Sequence, residues 1–226
     1  MGYIPSGEDE IRYLKEFDPT RYQNPGFAAD TAVFAVGEDA LSILLIKRGG
    51  YPYKGRWALP GGFVEIDEDI FHAADRELME EAGISGLYLE QVFTWGRPDR
   101  DPRYRCITAS HIAIADAAEL KPVAGDDAAD ADWFTLGDYK VKEADGITQI
   151  SYTLRGSIEM HPIVAFTTGC MQQIYPVESA GLAFDHAESI AYSFEYLKRR
   201  VSEGYLDIAL SDEAVKARAR KLILGE

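Results

Sequence analysis

Residues 57–84 constrain the fold more than any other part of the chain. Within this stretch Gly62 is followed after five residues by Glu68, and after seven more by a run that reads Arg-Glu-Leu-Met-Glu-Glu-Ala-Gly-Ile and ends at Ile84. The first part is rich in glycine and the second contains neither Gly nor Pro until its end. The stretch therefore predicts a glycine-rich turn that leads into a charged helix.

Residues 69–82 are the predicted helix, because they are mostly good helix formers. Asp67 is expected to act as its N-cap, and the negative charges of Glu68 and Asp69 in the first turn suit the helix dipole. Apolar residues recur at steps of four, which places them on one face. We expect that face to be buried; it comprises Ile70, Ala74, Leu78 and Ala82, with Phe71 beside it.

Three glutamates lie next to the apolar face at relative positions i, i+3 and i+4, namely Glu77, Glu80 and Glu81. At this spacing they span an arc of about 100° and point at one volume, where their charges repel one another. A hard divalent cation such as Mg2+ or Mn2+ turns that repulsion into coordination. The alternative is a solvated acidic face, but the complete pattern favours a metal site. Arg76 is placed to pair with Glu68 and to make the approach to the helix rigid.

The complete pattern, G-x5-E-x7-R-E-U-x-E-E-x-G-U with U apolar, is the Nudix box, and the chain resembles the Nudix hydrolases. This resemblance implies an α/β fold, the Nudix α/β/α sandwich around a mixed sheet. It also implies a nucleotide diphosphate substrate and Mg2+ or Mn2+ as the cofactor. By the same resemblance the metal ligands are Glu77, Glu80, Glu81 and the backbone carbonyl of Gly61, and the catalytic residues are Glu80, Glu81, Arg76 and Glu68.

A general base is still required, and members of the family often supply it from a loop outside the box. The loop of residues 119–130 offers four carboxylates, Glu119, Asp126, Asp127 and Asp130. Asp127 is the first choice and Asp126 the second. Either can equally be a turn residue or a helix cap.

A second cluster follows the box in residues 95–105, where two Pro and one Gly predict a loop. Arginine forks suit bidentate contacts to a diphosphate, and Trp95 or Tyr104 can stack on a base. The alternative is a surface loop in which Arg and Asp pair with one another. The predicted substrate-binding residues are Trp95, Arg97, Pro98, Arg100, Arg103 and Arg105.

Pro98 lies fifteen residues beyond Gly83, a placement similar to that in ADP-ribose pyrophosphatases. The segment Ala-Phe-Asp-His-Ala at residues 183–187 resembles the branch that includes Nudix-type transcriptional regulators of NAD metabolism. Those regulators carry a winged helix-turn-helix, for which the 26 residues after Arg200 are too few. The resemblance implies hydrolysis of ADP-ribose to AMP and ribose 5-phosphate. The alternatives are another nucleoside diphosphate derivative, such as a sugar nucleotide or NADH, or a non-catalytic ADP-ribose sensor.

The chain divides into an N-terminal arm (1–27), a Nudix core (28–138), a β-rich insertion (139–180) and C-terminal helices (181–226). Strands are predicted at residues 28–36, 41–47, 87–95, 104–115 and 131–136. Asp185 and Glu188 have capping-box spacing at the start of a second helix. A last helix is predicted at residues 212–224, and His186 is expected to be structural.

The charge balance disfavours nucleic acid and anionic membranes as partners, because 38 acidic residues against 23 basic ones give a net charge of −15. Cys106 and Cys170 stand far apart, so neither a disulfide scaffold nor a zinc site is indicated. No signal peptide and no apolar run long enough to span a bilayer are evident. We expect a cytoplasmic protein, and the resemblance implies a homodimer with the N-terminal arm as an exchange element.

Overall fold

The structure is a computed structural model that describes residues 4–122, 128–169 and 173–225, the side chains of residues 173–177 excepted. The strands in chain order are β1 (Gly26–Val36), β2 (Leu41–Arg48), β3 (Trp57–Ala58), β4 (Gly61–Phe63), β5 (Glu90–Trp95), β6 (Cys106–Asp116), β7 (Ala128–Ala144), β8 (Ile147–Arg155), β9 (Glu159–Met160), β10 (Ile163–Thr167) and β11 (Gln173–Glu178). The helices are α1 (Glu8–Glu16), α2 (Ile70–Ala82), α3 (His186–Ser202), α4 (Tyr205–Ala209) and α5 (Glu213–Leu224), with a 3-10 turn at Pro19–Arg21.

The described strands form one mixed sheet, and its main path has the order β11-β10-β8-β7-β2-β1-β6-β5. β1 pairs with β6 in parallel, while its contacts with β2 and β4 are antiparallel. β1 is buried from Ala28 to Val36, which requires cover on both faces of the sheet. The predicted α/β fold with a mixed sheet is confirmed.

Adjacent residues of β1 show how the two faces are covered, since successive side chains point to opposite sides of a strand. Val33 packs in a cluster with Leu78 of α2. Phe34 packs in the larger cluster on the other face, where its ring centroid lies 6.1 Å from that of Phe194 in α3. The helices α2 and α3 therefore enclose the sheet between them, as the α/β/α sandwich requires.

The box helix α2 begins one residue later than predicted. Its N-cap is Asp69, whose side chain accepts a hydrogen bond from the Phe71 amide, so the assignment of the cap to Asp67 was wrong. The apolar face is buried at Ala74, Leu78 and Ala82, but Phe71 is 43% exposed and only meets the edge of the His111 ring. Phe71 therefore lies outside the buried face of α2.

The insertion is β-rich, and its strands continue the central sheet. β7 was predicted to end at residue 136, but it runs on to Ala144. A register shift between Gly137 and Lys140 lets this long strand keep its pairing with β8. β10 and β11 then extend the same sheet beyond β8. The boundary at residue 139 thus falls within one continuous strand.

The C-terminal helices pack on the face opposite α2. The predicted apolar positions of α3 are buried at Ile190, Leu197 and Val201, and Asp212 caps α5 through two backbone amides. Asp185 is the N-cap residue of α3, but its side chain makes no capping hydrogen bond, so the predicted capping box is wrong there. The Asp185 carboxylate is instead engaged with an arginine of the active-site region.

The N-terminal arm contains α1, a helix in which none of the nine residues is buried. Its side chains expose apolar surface at Ile11, Tyr13 and Leu14. The expected homodimer with arm exchange concerns a second chain and stays a prediction. Among the described helices, none is both long enough and apolar enough to cross a membrane.

Candidate active site

Two glycines of β4 allow close contacts, Gly61 with β1 and Gly62 with the box helix. The Gly61 amide donates a hydrogen bond of 2.9 Å to Oε2 of Glu81. A Cβ at Gly61 would overlap the Ala29 carbonyl, and a Cβ at Gly62 would overlap the Glu77 carboxylate. A side chain at Gly61 would therefore push β4 away from β1, and a side chain at Gly62 would displace the Glu77 carboxylate from the backbone of β4.

Arg76 is hydrogen-bonded to three carboxylates around it. Its Nε and Nη2 donate to Glu68 at 3.0 and 2.6 Å, which confirms the predicted pair. Its Nη1 donates to Glu77 at 2.7 Å and to Glu80 at 2.9 Å. Nη2 also donates to the Phe63 carbonyl at 3.0 Å, so Arg76 fixes the box loop on α2. The hydrogen bonds that Glu68 accepts from Arg76 and from the Glu65 amide lower the pKa of Glu68 to about 2.

Two of the three glutamates, Glu77 and Glu81, lie in a less polar environment than the more exposed Glu80. Burial raises the pKa of Glu81 to about 8, and the charges of Glu77 and Asp30 add to the effect while the Gly61 hydrogen bond opposes it. Burial also raises the pKa of Glu77, against the attraction of Arg76. The protein itself therefore only partly balances the negative charges of these two carboxylates. A bound cation would favour their charged forms.

The three glutamates border one cleft of about 430 Å³, but in the described part of the chain no three acidic, His or Cys side chains converge as a ligand set. Glu77 and Glu80 are turned toward Arg76 instead. One oxygen of each glutamate accepts a hydrogen bond, from Arg76 or from Gly61. The other oxygen accepts none from the described residues, so this donor set of carboxylate oxygens suits a hard divalent cation.

The arginine loop is largely paired with the chain's own carboxylates. Arg100 is buried and donates to both oxygens of Asp185, at 2.9 and 2.7 Å. The expectation that Arg100 grips the substrate is therefore corrected: its fork is filled by Asp185. Arg103 pairs with Asp101 at 2.7 Å, but it is 40% exposed and borders the cleft of the box glutamates.

The remaining loop residues point in different directions. Trp95 is 2% exposed and its Nε1 donates to Ser110 at 2.7 Å, so the expectation that it stacks on a base is corrected. Arg97 pairs with Asp99 at 2.8 Å, and Nη1 of Arg105 donates to the Cys106 carbonyl at 3.1 Å. Pro98 is exposed but does not border the cleft.

Tyr104 remains available as an aromatic platform near the cleft. It is 47% exposed, and its ring stacks on Phe63 with a centroid distance of 6.0 Å. Phe63 borders the cleft, and the Arg103 guanidinium lies 5.2 Å from its ring. Of the two aromatic residues proposed from the sequence, only Tyr104 can meet a ligand at this mouth.

The start of α3 supports the box loop, which was not foreseen from the sequence. Leu59, two residues before Gly61, donates its amide hydrogen to Nδ1 of His186 at 2.8 Å. The Ala183 amide donates to the Trp57 carbonyl at 2.8 Å. Burial lowers the pKa of His186, so its ring stays neutral and accepts the Leu59 hydrogen bond. The expected structural role of His186 fits this contact.

Two of the four candidates for the general base lie outside the described residues. Asp126 and Asp127 fall outside the described residues, so the choice of Asp127 stays a prediction. Glu119 borders a different surface pocket, together with Asp116 and Asp212. Asp130 lies in β7 opposite Lys47.

Comparisons with known proteins identify the family of the chain. Residues 26–153 match the NUDIX domain family. The ADPR responsive transcriptional repressor NtrR of Acinetobacter baylyi is 41% identical over 107 residues, which are 46% of this chain and 43% of the repressor. The ADP-ribose pyrophosphatase of Methanocaldococcus jannaschii is 41% identical over 128 residues, which are 55% of this chain and 72% of that enzyme. The alignment with the repressor NtrR spans less than half of the repressor's length.

Among solved structures, a MutT/nudix family protein from Enterococcus faecalis is similar over 96% of this chain and 81% of its own, with a TM-score of 0.70 and 26% identity. The family match covers more than half of the 226 residues and includes the whole box from Gly62 to Ile84. The chain therefore belongs to the Nudix hydrolase family.

Proposed function

We propose that the protein hydrolyses the diphosphate bond of ADP-ribose, with Mg2+ or Mn2+ as cofactor, to AMP and ribose 5-phosphate. The observation that carries this proposal is the cleft itself, where three box carboxylates each keep an oxygen free beside Gly61 and Gly62. The 41% identity to an ADP-ribose pyrophosphatase supports the choice of substrate. The position of Pro98 after the box supports it as well.

Glu77, Glu80 and Glu81 would hold the divalent cation, with the Gly61 carbonyl as a further ligand. When bound, the cation neutralises phosphate charge and lowers the pKa of a water molecule. Arg76 orients Glu77 and Glu80 from behind, and Glu68 holds Arg76 in place. Arg103 borders the same cleft, and its Nη1, which does not donate to Asp101, would donate to a phosphate oxygen.

In the reaction a water oxygen forms a bond to phosphorus, the bond from that phosphorus to the bridging oxygen breaks, and the water proton passes to a base. Asp127 is proposed as that base on the sequence alone. Glu81 keeps its proton near neutral pH until a cation binds, so it serves as a ligand only when the proton has left.

The test is incubation with ADP-ribose and Mg2+, followed by measurement of AMP and ribose 5-phosphate. Glu80→Gln and Glu81→Gln should each slow turnover by orders of magnitude while the far-UV circular dichroism stays that of the wild type. Unchanged turnover in both variants would remove the metal-site assignment.

Two alternatives are kept. A Nudix hydrolase for a sugar nucleotide or NADH shares the whole cleft, and a panel of nucleotides compared by kcat/KM separates it from an ADP-ribose enzyme. A non-catalytic ADP-ribose sensor is favoured by the similarity to an ADPR responsive repressor. Tight ADP-ribose binding without AMP release in either Mg2+ or Mn2+ would identify the sensor.

A further inference from the structure

Asp30 in β1 lies beneath the box loop, and no local pattern in the sequence singled it out. It pairs with Gly61 of β4 in the register of the sheet, and its Oδ1 would lie 2.5 Å from a Cβ at Gly61. Its side chain is only 10% exposed. The amide of the next residue, Thr31, donates to the Pro60 carbonyl at 2.9 Å, so β1 holds one side of the box loop. Asp30 is therefore a buried carboxylate next to the residue whose carbonyl is the expected metal ligand.

Three polar groups surround the Oδ2 atom of Asp30. The Thr108 hydroxyl donates to it at 2.8 Å. Nη2 of Arg100 lies 3.7 Å away, and Nε2 of His186 lies 3.9 Å away. Both nitrogens are too far for a hydrogen bond, but a buried charge acts over such a distance. The fork of Arg100 is occupied by Asp185, so Asp30 is left with an electrostatic attraction to Arg100 and to the His186 ring.

The hydrogen bond of Leu59 determines which nitrogen of His186 carries the proton. A backbone amide only donates, so Nδ1, which accepts the Leu59 hydrogen at 2.8 Å, carries none. Burial keeps the ring neutral, because it lowers the pKa of His186. The ring proton therefore resides on Nε2, the nitrogen that faces Asp30. In the other tautomer, the Nδ1 hydrogen would meet the Leu59 hydrogen, and this support of the box loop would be lost.

The charge of Asp30 favours the tautomer with its proton on Nε2. A carboxylate attracts the N–H group of an imidazole and thereby selects its tautomer. The Arg100 guanidinium acts in the opposite sense, because a cation beside Nε2 favours a lone pair on that nitrogen. Asp30 lies close to both groups, so its negative charge offsets the charge of Arg100 at the ring. Without Asp30, Nδ1 would be protonated more often.

We propose that Asp30 is a positioning residue of the active site, which keeps His186 in the tautomer that accepts the Leu59 amide hydrogen. Leu59 lies two residues before Gly61, whose amide donates to Glu81 and whose carbonyl is the expected metal ligand. Asp30 thus acts through the His186 ring on the backbone of the box loop, without a contact to substrate. The inference rests on the cation site of the proposed function, and it adds a residue outside the box to that site.

The tautomer is measured by NMR of the histidine ring nitrogens in the full chain without metal, and the signal missing from His186→Asn identifies the ring. The wild type should carry the His186 proton on Nε2. Asp30→Asn keeps the shape of the side chain and an oxygen for the Thr108 hydroxyl but removes the charge, so the fraction of the Nδ1–H form should rise. A wild-type ring with its proton on Nδ1 would overturn the proposal, even if no Asp30 variant folds. An unchanged tautomer in Asp30→Asn would overturn it as well.

The Kd of Mn2+, measured from the signal of free Mn2+ in electron paramagnetic resonance, connects the tautomer to the cleft. We expect a rise of about tenfold in Asp30→Asn, the size typical of a residue that orients a metal-binding group. Asp116→Asn is the matched control, since Asp116 is a partly buried carboxylate at the end of β6 that pairs with Arg218 and does not border the cleft. The Kd of this control should stay within about twofold of the wild type.

A double-mutant cycle separates this route from a direct attraction between Asp30 and the cation. In His186→Asn an amide oxygen near the position of Nδ1 accepts the Leu59 hydrogen, and the new side chain has no tautomer to select. We expect Asp30→Asn to change the Mn2+ Kd by less than about twofold in this background. An equal rise of the Kd in both backgrounds would show that Asp30 acts on the cation through its own charge, and the proposal would be overturned.

Neither the NMR spectrum nor the Mn2+ titration uses a nucleotide, so this inference and the proposed function fail separately. A protein with the expected tautomers and the expected Mn2+ cycle that releases no AMP from ADP-ribose would end the substrate assignment and leave the role of Asp30 standing. A protein that releases AMP, with a Mn2+ Kd unchanged in Asp30→Asn, would leave the activity standing and end the role of Asp30.

Discussion

Arg100 and Asp185 lie 85 residues apart in the sequence and share two hydrogen bonds in the folded protein, from Nε at 2.9 Å and from Nη2 at 2.7 Å. Both side chains are almost completely buried, with 4% and 0% exposure. The pair joins the arginine loop to the start of α3. Asp30 adds a second, longer contact to Arg100 at 3.7 Å.

Breaking this pair should destabilise the protein strongly. Arg100→Ala leaves the Asp185 carboxylate buried without a partner, which typically costs about 3–5 kcal/mol. Urea unfolding followed by circular dichroism measures the difference. Arg105→Ala is the control, since Arg105 is exposed and should change the free energy of unfolding by less than about 1 kcal/mol. Equal losses in the two variants would contradict a special role for the buried pair.

Gly62→Ala should reduce catalysis more than stability. The new methyl group would overlap the Glu77 carboxylate and force it away from β4. A displacement of about 1 Å in a catalytic group can cost about a hundredfold in rate. Gly50→Ala is the matched control, because Gly50 borders the same cleft and a Cβ there meets no atom within 4 Å. A Gly62→Ala enzyme with wild-type kcat would show that Glu77 does not need its present position.

The metal-free protein should become less stable as the pH rises through the range set by Glu81. Between its ordinary value of 4.5 and the folded value of about 8, the unfolded chain has lost the Glu81 proton while the folded chain retains it. The free energy of unfolding therefore falls with pH over this window, by at most about 1.4 kcal/mol per pH unit for one group.

Urea unfolding in EDTA at a series of pH values checks this dependence. Glu81→Gln has no proton to retain, so its profile should be flatter than that of the wild type over the same window. Mg2+ should restore the wild-type stability most at the alkaline end, because the cation replaces the proton. Parallel profiles for the two proteins would place the raised pKa elsewhere.

Trp95→Phe should affect the fold and leave substrate affinity alone. Trp95 is in the main core and its Nε1 donates to Ser110, so the variant loses one buried hydrogen bond and some packing. We expect a loss of about 1–2 kcal/mol in the free energy of unfolding. The KM for ADP-ribose should stay within about twofold of the wild type. A large rise in KM at unchanged stability would return Trp95 to the substrate site.

Local signals in the sequence were sufficient for the box. The spacing of Glu68, Arg76 and the glutamates predicted both the helix and the pair of Arg76 with Glu68, because these contacts lie within a few turns of one another. The cap was misplaced by two residues, since Asp67 and Asp69 are equally good capping residues and only the observed hydrogen bond to Phe71 distinguishes them.

The arginine loop shows what a sequence alone leaves open. The composition of residues 95–105 indicated several arginines that bind a diphosphate. It also allowed a surface loop in which Arg and Asp pair with one another. The structure shows one arginine in each situation: Arg103 borders the cleft, and Arg100 forms an ion pair with Asp185. Partners 85 residues apart follow from the packing of α3 against the sheet, which no local pattern encodes.

The hydrogen bond from the Leu59 amide to His186 makes this amide a probe of the backbone beside the cleft. The Leu59 residue lies two positions before Gly61. Its N–H is protected from hydrogen exchange while α3 stays packed against the box loop. Its rate of hydrogen exchange therefore measures how often the glycine segment comes loose, independently of any ligand. A mutation in the buried side of α3 can shorten that protection and disturb the cleft without altering a single residue that lines it.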